Sequence, residues 1–98
     1  MRTVVISDTV QEKIANLRKY LLNELKLSRE AAHARTNRMD VFLLSLGYPV
    51  DYPLCRFRRW QALGYRCAVF ERSWIFAYEV FQDGIIVRDM SHTAILAE

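Results

Sequence analysis

Residues 64–92 read GYRCAVFERSWIFAYEVFQDGIIVRDMSH, and this stretch decides the fold class. Residues 65–70 are aromatic or small and apolar around Arg66 and Cys67, and Glu71-Arg72-Ser73 offers a turn. Residues 74–81, WIFAYEVF, are apolar on both alternating faces except at Glu79, as a central strand requires. Asp83-Gly84 is the strongest hairpin signal in the chain, and residues 85–90 supply the partner strand. Three strands joined by short turns imply an antiparallel sheet.

Upstream of that sheet the period changes from two to about 3.6. Val10, Ile14, Leu17, Leu21 and Leu25 form one apolar helical face, with Lys13, Arg18 and Glu24 off it. Thr9 and Glu12 fit a capping box, as do Asp8 and Gln11 one residue earlier. Ser28 caps a second helix, whose stripe reads Ala31, Arg35, Met39, Phe42 and Leu46, widened by Ala32 and Leu43. Gly47 and Pro49 end it. The short break at Leu27-Ser28 folds the two helices into a hairpin. β-Branched residues 3–6 form a short first strand. Residues 57–62 read either as a further strand or as loop. The expected order is β-α-α-β-β-β, an α+β fold in which the N-terminal strand and helical hairpin pack on a C-terminal antiparallel sheet.

The chain has 98 residues, which sets the expectation of a single domain over 1–98. Fourteen basic residues against eleven acidic ones give a net charge of +3, too mild to argue for nucleic acid without local clustering. The N-terminal MRTVVISDTV lacks the apolar core of a signal peptide, and no run approaches the length of a membrane span. A cytoplasmic protein without membrane contact is expected. Cys55 and Cys67 then read as free thiols in a reducing compartment, although a bond between them is a question of geometry.

One cluster stands out. No acidic residue lies between Asp51 and Glu71, while Arg56, Arg58, Arg59 and Arg66 alternate with Tyr52, Phe57, Trp60, Tyr65 and Phe70. Guanidinium groups match phosphates and aromatic faces stack on bases, but the same residues anchor protein interfaces. A solvated arginine face over an aromatic core is the ordinary alternative. On a strand, Arg58 and Trp60 would share one face, and Phe57 and Arg59 the other.

His92, beyond the last strand, is the one candidate for proton transfer, and Arg88 is a further phosphate or target ligand. His33 reads as helix surface and Tyr78 as core. Glu79 pairs with Arg66 or Arg88 across the sheet. The sequence carries no phosphate loop, nucleophile elbow or metal-ligand cluster, and no cofactor is expected.

Taken together, Gly64-Tyr65-Arg66, residues 74–80 and residues 85–92 behind a two-helix front half resemble the RelE/ParE toxin superfamily over nearly the whole chain. The resemblance implies the toxin of a type II toxin–antitoxin pair, a plasmid-stabilisation protein covered by a cognate antitoxin that folds on binding. RelE-like members are mRNA interferases that cleave messenger RNA on the ribosome; ParE-like members inhibit DNA gyrase by binding. Here the strand that in RelE-like members begins with an arginine begins Ser73-Trp74-Ile75. The tail, commonly basic, reads His92-Thr93-Ala94-Ile95-Leu96. Both departures place the chain closer to ParE-like members. Only His92, with Arg66 and Arg88 as phosphate ligands, would serve a nuclease. The reading leaves room for a homodimer and for a non-toxic interaction domain on the same fold.

Overall fold

The computed structural model describes residues 1–95. The chain runs β1 (Thr3–Ile6), α1 (Asp8–Asn23), α2 (Arg29–Ser45), α3 (Arg58–Gln61), β2 (Arg66–Phe70), β3 (Trp74–Val80), β4 (Gly84–His92) and a 3-10 turn, Thr93–Ile95. This is the expected α+β order with one added short helix. The sheet is ordered β1-β4-β3-β2. β2, β3 and β4 are antiparallel neighbours, and β1 joins β4 in parallel, so the four-stranded sheet is mixed.

Local chemistry explains the helix limits. Ser7 caps α1, two residues ahead of Thr9, by accepting the Val10 N–H while its own hydroxyl donates to the Arg88 carbonyl. Ser28 caps α2 as its sequence position implies, accepting from the Ala31 N–H at 3.1 Å. The end of α2 is held by Arg2, whose guanidinium donates to the carbonyls of Leu46 and Tyr48, both at 2.9 Å. A cation at a helix C-terminus also meets the negative end of the helix dipole.

The buried stripe of α2 is Ala32, Thr36, Met39, Leu43 and Leu46. Ala31 and Arg35 are exposed, so the face is rotated by one residue over its first half. Thr36 is the reason. Its hydroxyl is satisfied by the carbonyls of Ala32 and His33 and accepts from Arg18 Nε at 3.0 Å, which lets a polar residue occupy the core.

Both helices pack on one face of the sheet. Val10, Ile14, Met39 and Leu43 meet Ala68, Phe70, Phe76, Tyr78, Ile85, Val87 and Met90. A smaller cluster lies on the opposite face, where Cys55, Trp60, Ile75 and Ala77 are buried with Phe57, Tyr65 and Cys67 around them.

Two expectations are corrected here. Residues 57–62 form no strand: Arg58–Gln61 is a helical turn, and Phe57 meets Trp60 edge-on at 5.9 Å through the i, i+3 spacing. The cysteines are not free thiols: Cys55 and Cys67 are joined in a disulfide. Residues 53–55 run beside β2, which brings the two sulfurs together. The Cys55 N–H donates to the Tyr65 carbonyl and the Cys67 N–H to the Pro53 carbonyl.

The β3–β4 hairpin forms where Asp83-Gly84 signals it, although Gly84 acts as a strand residue against Thr3 of β1. Among the described residues no helix is long and apolar enough to cross a membrane.

Candidate functional site

The arginines singled out in the sequence do not form one patch. Arg56, Arg58 and Arg59 are exposed around α3, on the side of the smaller cluster. Arg59 lies over the Trp60 ring, 4.9 Å from its centroid. Trp60 itself is only 2% exposed. It is a core residue of that cluster, so its ring is closed to a base or a partner side chain. Arg66, opposite Tyr78 on β2, donates to the Tyr52 carbonyl at 2.7 Å. Arg88 sits where the β3–β4 register shifts, and its Nε donates to Glu79 Oε1 at 2.9 Å. The pairing of Glu79 thus falls on Arg88. Arg88 also approaches the Phe81 ring. His33 is an exposed helix residue.

Tyr78 is buried and structural. Its hydroxyl accepts the Tyr52 N–H at 2.9 Å and donates to Asp51 Oδ1 at 3.3 Å. Burial raises the phenol above its ordinary value.

His92 is the last residue of β4, opposite Trp74 at the start of β3. The two rings meet edge-on with centroids 5.1 Å apart. The Ala94 N–H donates to His92 Nδ1 at 3.1 Å. That bond requires the Nδ1 lone pair, so the neutral ring carries its proton on Nε2. In this arrangement His92 offers a donor to a ligand, and the lone pair a general base needs is engaged.

Two neighbouring clefts open at this end of the sheet. A cleft of about 290 Å³ lies between the helices and the β2–β3 turn, lined by Leu17, Arg35, Arg38, Met39, Phe70, Glu71, Ser73 and Trp74. A second, of about 320 Å³, shares Leu17 and Trp74 with it and is lined further by Lys13, Asn16, Met90, Ser91 and His92.

Lys13, Arg35 and Arg38 thus bring three cations from the helices toward His92. Each has acidic company. Lys13 Nζ is 2.6 Å from Asp89 Oδ1, and Arg38 Nε is 2.9 Å from Glu71 Oε2. The Arg38 hydrogen bond is the main reason the Glu71 carboxyl is held below its usual range, and Arg35 adds to it through space. In return Glu71 raises Arg38. A ligand anion would have to compete with these carboxylates.

The turn bordering the cleft is conformationally unusual. Glu71 and Arg72 both have positive φ, 48° and 63°, and the Ser73 N–H donates to the Phe70 carbonyl at 3.2 Å. Two left-handed central residues define a type I′ turn, a conformation that favours glycine and asparagine. The end of β4 secures it: the Thr93 N–H donates to the Ser73 carbonyl at 2.8 Å, and the Thr93 hydroxyl to that of Arg72.

Sequence reasoning missed Lys13, Arg35 and Arg38. Lys13 reads as lying off the apolar face of α1 and Arg35 as part of the α2 stripe, neither linked to a site, and Arg38 is not singled out. Correct placement of the α2 stripe would have left Arg35 and Arg38 flanking Met39. Among the described residues no group of three or more His, Cys, Asp or Glu side chains gathers to hold a metal ion. No protein-family model matches the chain, and no curated protein matches it significantly.

Proposed function

We propose that this chain is a cytoplasmic toxin of a type II toxin–antitoxin pair, a RelE/ParE-like protein closer to the ParE-like members. It acts by binding a macromolecular target such as DNA gyrase, and a cognate antitoxin neutralises it. The order and spacing of the Gly64-Tyr65-Arg66, residues 74–80 and residues 85–92 segments support the family.

The observation that carries the binding reading is the state of His92. The one proton-transfer candidate has its Nδ1 lone pair taken by the Ala94 N–H. Of the cations around it, Lys13 is paired with Asp89 and Arg38 with Glu71, while Arg35 acts on Glu71 only through space; Arg88 is paired with Glu79. In-line attack by a ribose hydroxyl needs a free base and uncompensated cations at the phosphate. Such a set is not assembled among the described residues.

A second reading, a ribosome-dependent mRNA endonuclease, draws on the cleft that joins Lys13, Arg35 and Arg38 to Trp74 and His92. Expression of the chain alone in cells separates the two. Growth arrest with loss of plasmid supercoiling and intact messenger RNA supports gyrase binding. Growth arrest with ribosome-positioned RNA cleavage, abolished in His92→Ala, overturns it. Unimpaired growth removes the toxin reading and leaves an interaction domain.

A further inference from the structure

We propose that the Cys55–Cys67 disulfide is a redox clasp that controls local opening of residues 53–65, an arginine-bearing arm laid across the second face of the sheet. This inference is independent of the target chosen above.

The arm is anchored at both ends by bonds that do not involve sulfur. On the N-terminal side, Asp51 is paired with Arg2 at 2.8 Å, and Tyr52 is held through its N–H by Tyr78 and through its carbonyl by Arg66. On the C-terminal side, Arg66 opens β2 in register with Tyr78. Between these anchors little holds the arm. Two backbone hydrogen bonds tie residues 53–55 to Tyr65 and Cys67, and Trp60 lies over Ile75 and Ala77. The two cysteines belong to the same small cluster as Trp60, so the bond ties residues 53–55 to β2 beside that ring. The larger core lies on the opposite face and contains neither cysteine. Gly64, with φ at 75°, sits at the downstream end of the arm, where a hinge would have to act.

Access is asymmetric. Cys55 is 1% exposed, whereas Cys67 is partly exposed. Reduction by a dithiol protein of the thioredoxin class therefore begins at Cys67 Sγ. The incoming thiolate forms a mixed disulfide with Cys67, and Cys55 leaves as the thiolate and takes up a proton. The reductant's second thiol, as thiolate, then attacks its own sulfur in the mixed disulfide. Cys67 is released and likewise protonated. One disulfide is reduced to two thiols, and the reductant dithiol is oxidised to a disulfide.

In the open state Phe57 and Trp60 leave the sheet together with Arg56, Arg58 and Arg59. The opening adds the buried Trp60 and the half-buried Phe57 to the exposed arginines as an accessible basic-aromatic surface, and in a reducing compartment that is the favoured form.

The test compares the oxidised full-length chain with the same chain reduced by dithiothreitol. Cleavage by trypsin at Arg56, Arg58 and Arg59 is read by mass spectrometry, and amide exchange is followed across β3 and β4. The expected result is a rise of roughly tenfold or more in cleavage at the three arginines, because proteolysis follows the open population, with unchanged protection in β3 and β4. The Cys55→Ser/Cys67→Ser double variant should match the reduced chain with or without reductant. A thioredoxin-class reductant lacking its second cysteine should be trapped on Cys67. Unchanged cleavage would make the bond a passive staple, and lost protection throughout β3 and β4 would make it a support of the whole fold. Trapping on Cys55, or recovery of two free thiols after oxidation, would also overturn the proposal.

Discussion

Arg2 Nη2 lies 2.8 Å from Asp51 Oδ1, joining the residue before β1 to the loop that follows α2. The same nitrogen also reaches the Leu46 and Tyr48 carbonyls, so one guanidinium closes the helix end and fixes the loop. The Arg2 hydrogen bond holds the Asp51 carboxyl below its ordinary value of 3.8. A carboxylate depressed in the folded state adds stability that is complete above its unfolded value and lost as pH falls through the folded one. Asp51→Asn is expected to lower stability near neutral pH by about 1 kcal/mol, in the range of a partly shielded ion pair. It should also flatten the acid limb below about pH 4, since the unfolded aspartate titrates there. Urea unfolding across a pH series checks this. Equal acid slopes in both proteins would dismiss the role assigned to Asp51.

Gly84 is required by a close approach between strands. A Cβ there would lie 2.4 Å from the Thr3 carbonyl oxygen, a backbone atom that cannot swing aside. On conformational grounds alone, alanine should improve a strand glycine by about 0.5–1 kcal/mol. The steric term is larger and of opposite sign, so Gly84→Ala is expected to destabilise by about 2 kcal/mol through loss of the β1–β4 pairing. A lower urea midpoint would support this, and a raised midpoint would contradict it.

The turn beside the cleft offers a stabilising change. Arg72 holds φ at 63° and makes no side-chain hydrogen bond or ion pair among the described residues. A left-handed residue with a side chain costs about 1–2 kcal/mol, partly offset by the greater freedom glycine has when unfolded. Arg72→Gly should therefore raise the melting temperature by about 4 °C, the response expected of a domain this size to less than 1 kcal/mol. A melting temperature lowered by the same amount would show that the Arg72 side chain contributes something its geometry does not reveal.

Around α3, burial and charge separate cleanly. Trp60→Ala should cost about 3 kcal/mol or more, because it empties most of the smaller cluster. Single alanine changes at Arg56, Arg58 and Arg59 should each stay within about 0.5 kcal/mol, as at other exposed positions. Chemical denaturation of the four variants measures both effects. A Trp60→Ala protein as stable as the parent would place the ring outside the core.

Much of the fold was legible because its signals are local. Ser28 with the spacing after it, the Asp83-Gly84 turn, and the alternation around Glu79 each specify an element without help from the rest of the chain. What was missed depends on tertiary contact. Thr36 is core only because Arg18 and two carbonyls satisfy its hydroxyl, which no apolar pattern can register. Phe57 and Trp60 are spaced equally well for a helical turn, and four residues are too few for periodicity to decide. The disulfide depends on residues 53–55 lying beside β2. The cleft was the least visible part. Lys13 comes from α1, Arg35 and Arg38 from α2, and Trp74 and His92 from neighbouring strands, so their convergence exists only in the folded chain.

The claim that this is a binding toxin is tested most directly with purified components. The chain is added to gyrase and relaxed plasmid in one reaction, and to ribosomes translating a defined messenger RNA in another. The account predicts dose-dependent inhibition of supercoiling, equal for the parent and His92→Ala, with the messenger RNA intact. Cleavage of the ribosome-bound messenger RNA by the parent and not by His92→Ala, with gyrase unaffected, would contradict it.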